Sequence, residues 1–166
     1  HECSSAASDV YKRQEIKDQT GKTLHWKMMD VRNNETVEEV AKHIKDGWGY
    51  LDVLINNAAG NFVTPTAAMS ENAWRAVIDI VLDGTFRVSK ACYPLLRNNQ
   101  EGSSIVNIIA NYAWGAAPFV AHSGAAKAGV LNLTRSLALE WSNDKIRVNA
   151  MSVSYTHLRA HETTDN

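Results

Sequence analysis

Residues Ile108 to Trp141 read IIANYAWGAAPFVAHSGAAKAGVLNLTRSLALEW. An apolar strand leads through a Gly/Ala/Pro loop into a long helix. Ala126, Val130, Leu133, Leu137 and Trp141 recur at helical spacing and form the stripe that helix buries. Tyr112 falls just past the strand end, where open α/β sheets carry their ligands. Ser123 and Lys127 are four apart and share one helix face. A phenol, a hydroxyl and an ammonium gathered at such a point suit proton and charge management on a carbonyl. The same pattern also fits a strand, a loop and a packed helix with incidental polar residues, so the flanking chain has to decide.

Upstream, Thr23 to Asp30 (TLHWKMMD) alternates loosely, with Leu24, Trp26 and Met28 on one face, and reads as a strand ending at Asp30-Val31. His25 and His43 read as solvated. Asn34 or Thr36 caps the next helix, with Thr36 and Glu39 spaced as a capping box. Its stripe is Val37, Val40, Ala41, Ile44 and Trp48, and Gly47 and Gly49 end it. Leu51 to Ile55 is a short, nearly continuous apolar strand, the signature of a sheet covered on both faces. It runs into Asn56 to Phe62 (NNAAGNF), where small residues let a backbone approach a ligand and asparagines hold turns or present amide donors. Ser70 caps a helix with a broad stripe from Trp74 to Cys92. Gly84 marks close packing in it, and it fades near Pro94 or Leu96. Ser104 to Ile109 and Ile146 to Ala150 complete the strands. The order β-α-β-α-β-α-β calls for a parallel sheet with right-handed crossovers, a Rossmann-type three-layer α/β/α arrangement.

The 166 residues are 45% hydrophobic and 21% charged, as one globular α/β domain requires. A net charge of −1 provides no basic field for nucleic acid. The apolar runs are too short and too broken to span a membrane. The two cysteines, Cys3 and Cys92, are sparse usage that fits a reducing compartment, with Cys92 an inert helix residue. Residues 4–14 and 154–163 continue neither periodicity and look like translated adapter sequence. The expected organisation is a domain over 15–151 with non-native tails at 1–14 and 152–166. His157 and His161 have the spacing of a helical metal pair, but they lie in the second tail with no third ligand, and no metal is expected.

The residues resemble the short-chain dehydrogenase/reductase family at Asp30-Val31, at Asn56 to Gly60, at Lys127 and at Ile146-Arg147-Val148-Asn149. The resemblance runs from about Glu15 to Met151. The family's glycine-rich turn belongs before that span and its substrate-binding region after it, so the chain looks like an internal fragment lacking the first two strands and the C-terminal region. Most of the family has tyrosine four residues before the lysine; here Ser123 stands there, and Val81 aligns with the family's helix asparagine. The 2,4-dienoyl-CoA reductase branch departs in the same way. It is similar at Ile55 to Phe62, at Asp79 to Phe86, at Tyr112 to Trp114, at His122 to Leu131 and at Leu139 to Trp141. In that branch the tyrosine moves upstream onto the loop, as Tyr112 stands fifteen residues before Lys127.

The resemblance implies an NADPH-dependent reductase of a 2,4-dienoyl-CoA thioester, in auxiliary fatty-acid β-oxidation, with NADH as the alternative cofactor. Tyr112, Asn61, Lys127 and Ser123 are then the catalytic set. Tyr112 and Asn61 donate to the thioester oxygen, Lys127 bonds the nicotinamide ribose, and Ser123 supports the thioester or its network. Asp30 and Val31 meet the adenine, and Asn57, Ala58, Ala59 and Gly60 line the adenosine. Trp114 shapes the pocket floor, and His122 is structural. The whole protein is expected to be a homotetramer; the compartment stays open. The alternatives are a trans-2-enoyl-CoA reductase or another acyl-CoA-acting member of the family and, in a different class, a truncated product without catalysis.

Overall fold

The computed structural model describes residues 14–153. Its elements are α1 (Asn34–Trp48), β1 (Val53–Asn56), α2 (Glu71–Ile78), α3 (Gly84–Arg97), β2 (Ser103–Ala110), α4 (Ala121–Glu140) and β3 (Ile146–Val153). Residues 14–20 form a further helical stretch. The strands make one sheet in the order β1-β2-β3, every pair parallel, with Ile55 opposite Val106 and Val106 opposite Asn149. This is the expected parallel Rossmann-type sheet, with helical crossovers between successive strands.

The pleat divides the sheet into two unlike faces. Leu54, Ile105, Asn107, Ile109, Ile146 and Val148 point toward α3 and α4, and the apolar core lies there in two clusters. Val88, Cys92, Leu96, Leu137 and Trp141 pack on Ile105, Ile146 and Val148. Val77, Val81, Ala126 and Val130 pack around Ile109. The opposite face carries Val53 at 50% exposure, Ile55 at 61% and Met151 at 54%. The cover on both faces expected for Leu51 to Ile55 is therefore absent among the described residues, which supply one helical layer.

A polar layer separates the two clusters. Asn107 is fully buried between Ile105 and Ile109 on β2. Asn56 Nδ2 donates to Asn107 Oδ1 at 2.8 Å and to Ser89 Oγ on α3 at 3.0 Å. Asn107 Nδ2 donates to Thr134 Oγ1 on α4 at 2.9 Å, and that hydroxyl donates to the Val130 carbonyl at 2.7 Å. Two strands and two helices are thus joined by one chain of satisfied groups, the condition under which buried polar groups stabilise. The first asparagine of the NNAAG loop belongs to this layer, so its role is in the core.

The expected strand at Thr23 to Asp30 does not form. Ladder hydrogen bonds need a neighbouring strand, and none of the described residues offers one beyond β1. The segment rests instead on α1, through an edge-on His25–Trp48 contact at 5.1 Å and a Lys27–Glu39 pair at 3.7 Å, and Met28 is 84% exposed. The capping box is also replaced. Asn33 is the N-cap, its side chain accepting from the Glu35 and Thr36 amides, while the Thr36 hydroxyl donates to the Asp30 carbonyl at 2.9 Å. Ser70 caps α2 as expected, accepting from Ala73 N at 3.2 Å, and Gly49 ends α1 in the left-handed conformation.

The expected single helix from Ser70 onward is interrupted by a π-helical turn at Asp79–Asp83. Thr85 Oγ1 bonds back to the Val81 carbonyl at 2.7 Å just beyond it. Such turns insert a residue and shift the following face. They also set Gly84 against Val31: a Cβ there would stand 2.8 Å from Val31 Cγ2 and 3.0 Å from Val31 Cβ. Valine is too short and stiff to swing away. Gly84→Ala in the full-length protein is expected to cost about 1–3 kcal/mol by chemical denaturation; an unshifted midpoint would show that the Val31 segment yields freely.

Candidate active site

The loops after β1 and β2 leave the carboxyl ends of adjacent parallel strands, where open α/β sheets form their crevice. The β1 loop carries Asn57, Ala58, Ala59, Gly60 and Asn61. The first three and Asn61 are exposed, and a Cβ on Gly60 would stand 3.3 Å from Ile80 Cδ1. The β2 loop begins with a one-turn 3-10 segment at Asn111–Ala113 that bears Tyr112. That turn aims the half-buried phenol at the start of α4, and Tyr112 Oη lies 3.1 Å from Ser123 Oγ.

Ser123 is buried on α4, and Lys127 follows one turn later on the same face. The Lys127 ammonium donates to the Ile108 carbonyl at 2.6 Å. Burial pushes its pKa below the ordinary lysine value. That bond uses one of the three donors a charged lysine carries. Small residues on one strand end and a tethered ammonium on the next fit the ribose side of a dinucleotide.

Asp30 and Val31 sit apart from this group. Both Asp30 carboxylate oxygens are held by Arg32, with Nη2–Oδ2 at 2.6 Å, and this guanidinium pulls the carboxyl down to about 2. The carboxylate therefore stays an anionic acceptor across the physiological range. Val31 turns its side chain to Gly84 and its carbonyl to Arg87 Nη1 at 3.3 Å. Arg87 also pairs with Asp79 at 2.7 Å, so one guanidinium ties the Asp30-Val31 corner to the π turn. Sequence reasoning passed over Arg87, because only the fold brings residues 31, 79 and 87 together.

Two expectations fail or fall elsewhere. Trp114, expected on a pocket floor, is 63% exposed, since it stands beyond the 3-10 turn where none of the described residues packs over it. His157 and His161 lie outside the described residues, and no group of three metal-ligating side chains occurs among the described ones. Cys92 is buried in the core, and burial raises its thiol to about 11, which makes it inert as expected. A groove of about 530 Å³ runs between α3 and α4 along Phe86, Tyr93, Leu133 and Trp141, and no candidate site residue lines it. No helix among the described residues is long and apolar enough to cross a membrane.

A parallel sheet flanked by helices, with polar side chains on the loops at its carboxyl edge, defines a partial Rossmann-type α/β domain. A family model described as enoyl-(acyl carrier protein) reductase matches residues 4–166, and the chain belongs to the short-chain dehydrogenase/reductase family. Its similarity is more particular than that. It is 49% identical over 125 residues to a Bacillus subtilis (strain 168) protein named "Probable 2,4-dienoyl-CoA reductase [(2E)-enoyl-CoA-producing]", covering 75% of this chain and 49% of that protein. It is 41% identical over 133 residues to the peroxisomal 2,4-dienoyl-CoA reductase of Rattus norvegicus, covering 80% of this chain and 45% of that one. Among solved structures, a short chain dehydrogenase from Bacillus anthracis matches with TM-score 0.73 at 44% identity, covering 86% of this chain and 61% of that one. One from Mycobacterium smegmatis matches with TM-score 0.81 at 32% identity, covering 87% and 60%. The chain thus spans about half the length of the curated relatives it matches. It is an oxidoreductase sequence related to 2,4-dienoyl-CoA reductases, from a family that works with nicotinamide cofactors.

Proposed function

We propose that the protein containing these residues is an NADPH-dependent 2,4-dienoyl-CoA reductase acting on an acyl-CoA thioester. The observation that carries the reading is the Tyr112–Ser123 pair at 3.1 Å, one helical turn before Lys127. Serine holds the place from which most of the family's tyrosines act, and a phenol reaches that serine from the β2 loop. The bound reduced nicotinamide supplies a hydride to the far end of the conjugated system.

The chain's own groups manage the charge and the proton that follow. Negative charge develops on the thioester oxygen as the dienolate forms. The Tyr112 O–H and the Asn61 side-chain amide donate to that oxygen, where preorganised donors act most strongly. Tyr112 then gives its proton to the dienolate carbon and is reprotonated from solvent, leaving an enoyl thioester. Ser123 Oγ orients the phenol through its hydrogen bond. Lys127 holds positive charge one turn away and bonds the ribose. Asn57 to Gly60 present backbone to the adenosine, and Asp30 offers an acceptor to the adenine amino group.

The test compares substrates on the full-length protein. Oxidation of NADPH with 2,4-dienoyl-CoA, exceeding that with 2-enoyl-CoA or 3-ketoacyl-CoA, supports the reading; turnover of the enoyl or ketoacyl thioester alone overturns it in favour of another acyl-CoA-acting member of the family.

A second reading concerns the 166-residue polypeptide on its own, taken as a domain over 15–151 with non-native tails. Among the described residues, 22–30 have no strand partner and one sheet face is uncovered. Such a polypeptide is a non-catalytic product. A titration with micromolar NADPH is expected to give no saturable signal, and saturable binding would overturn this second reading without touching the first.

A further inference from the structure

His122 is fully buried beside Ser123, yet the mechanism above makes no use of it. Neither of its ring nitrogens has a hydrogen-bond partner, and burial pushes its pKa down. The ring is therefore neutral, and its described contact is with another ring. It meets Phe62 in a tilted arrangement, with centroids 4.3 Å apart and planes at 51°. Phe62 is the residue after Asn61.

A second tie runs alongside. The Thr64 amide donates to the Phe119 carbonyl at 3.0 Å. Phe119 has φ 64°, a left-handed conformation that residues with a side chain seldom adopt. Strain of this kind persists where the surroundings over-determine it. Here it turns a carbonyl toward the Asn61 loop. Both ties therefore link residues 62 and 64 to residues 119 and 122, at the entry to α4. Asn61 and Ser123 flank them on either side. The loop between Asn57 and Thr64 has no regular structure and is mostly exposed.

We propose that the His122–Phe62 ring pair is a clasp that fixes the Asn61 loop against the Tyr112–Ser123 pair, which makes His122 a positioning residue. The proposal rests on the roles read above for Asn61 and Tyr112. The packing of the ring does the positioning, and its nitrogens do not.

The test uses His122→Ala, Phe62→Ala, the double variant and His122→Phe in the full-length protein. Each alanine variant is expected to lower kcat about tenfold or more, as misplaced groups do, with the KM for NADPH little changed. The double variant should be no worse than the poorer single one. His122→Phe restores a ring of similar size, and its kcat should return to within about threefold of the wild type. A His122→Phe variant as slow as His122→Ala would overturn the proposal, because the nitrogens would then matter. So would full activity in His122→Ala, or additive losses in the double variant. If His122→Ala fails to fold, Phe62→Ala carries the same comparison, since that ring lies at the surface. Hydrogen exchange at the Thr64 amide in ligand-free protein separates this proposal from the functional reading. Protection should fall in both alanine variants and persist in His122→Phe, whichever substrate the protein takes; unchanged protection in the alanine variants would sink the clasp by itself.

Discussion

Replacing Tyr112 by phenylalanine in the full-length protein is expected to lower kcat about 10²- to 10³-fold. The dissociation constant for NADPH is expected to move by no more than about twofold, since the proposed role sets the phenol on the substrate and not on the adenosine side. The substitution keeps the ring on its 3-10 turn and deletes one oxygen. That oxygen is the atom 3.1 Å from Ser123 Oγ. In the proposed mechanism, losing it removes a donor to the developing dienolate and the proton for the second step, and both losses appear only after hydride transfer has begun. Steady-state kinetics with 2,4-dienoyl-CoA and a separate cofactor titration make the check. Unaltered turnover would remove Tyr112 from the mechanism, and equal losses in turnover and cofactor affinity would recast it as a residue of the binding crevice.

Asn107→Leu is expected to destabilise the full-length protein by about 2–4 kcal/mol, with the fold retained. Leucine has the branching of asparagine and a larger volume, so no cavity is left and some crowding adds to the loss. Asn56 Nδ2 would keep Ser89 and lose its 2.8 Å acceptor, and Thr134 Oγ1 would lose its 2.9 Å donor. A buried amide hydrogen without an acceptor carries the main cost. Replacing Asn56 by leucine as well removes that stranded donor, so the double variant should recover part of the loss. Urea denaturation of both proteins supplies the comparison. A single variant within about 0.5 kcal/mol of the wild type would mean that water enters and satisfies the layer.

These two residues mark what the sequence disclosed and what it withheld. Tyr112 was legible because its chemistry and its place after an apolar strand coincide within a few residues. The strands read at Ser104 to Ile109 and Ile146 to Ala150, the long helix after Val120, the Ser70 cap and the Gly49 stop were legible for the same local reason, though the last strand runs on to Val153. Asn107 was visible only as a polar residue inside the apolar run SIVNII. Its partners are 51 and 27 residues away, on elements whose adjacency the fold alone decides. The failed strand at Thr23 to Asp30 has the converse cause. Alternation describes a strand's two faces but says nothing about whether a neighbour exists to bond its edge. The π turn at Asp79–Asp83 left no mark in the periodicity, since the apolar stripe of the expected helix ran straight through it. Nothing in the sequence singled out Arg87, whose partners Val31 and Asp79 are brought beside it only by the fold.

The uncovered side of the sheet has a consequence for how these residues behave in isolation. Val53, Ile55, Met151 and Val153 line it, and no described strand covers the outer edge of β1 or of β3. Open edges and oily surface are templates for strand addition and for self-association. Synthesised without a cover, this polypeptide is a client for chaperones and proteases, and its lifetime in a cell would be set by their quality control long before its chemistry mattered.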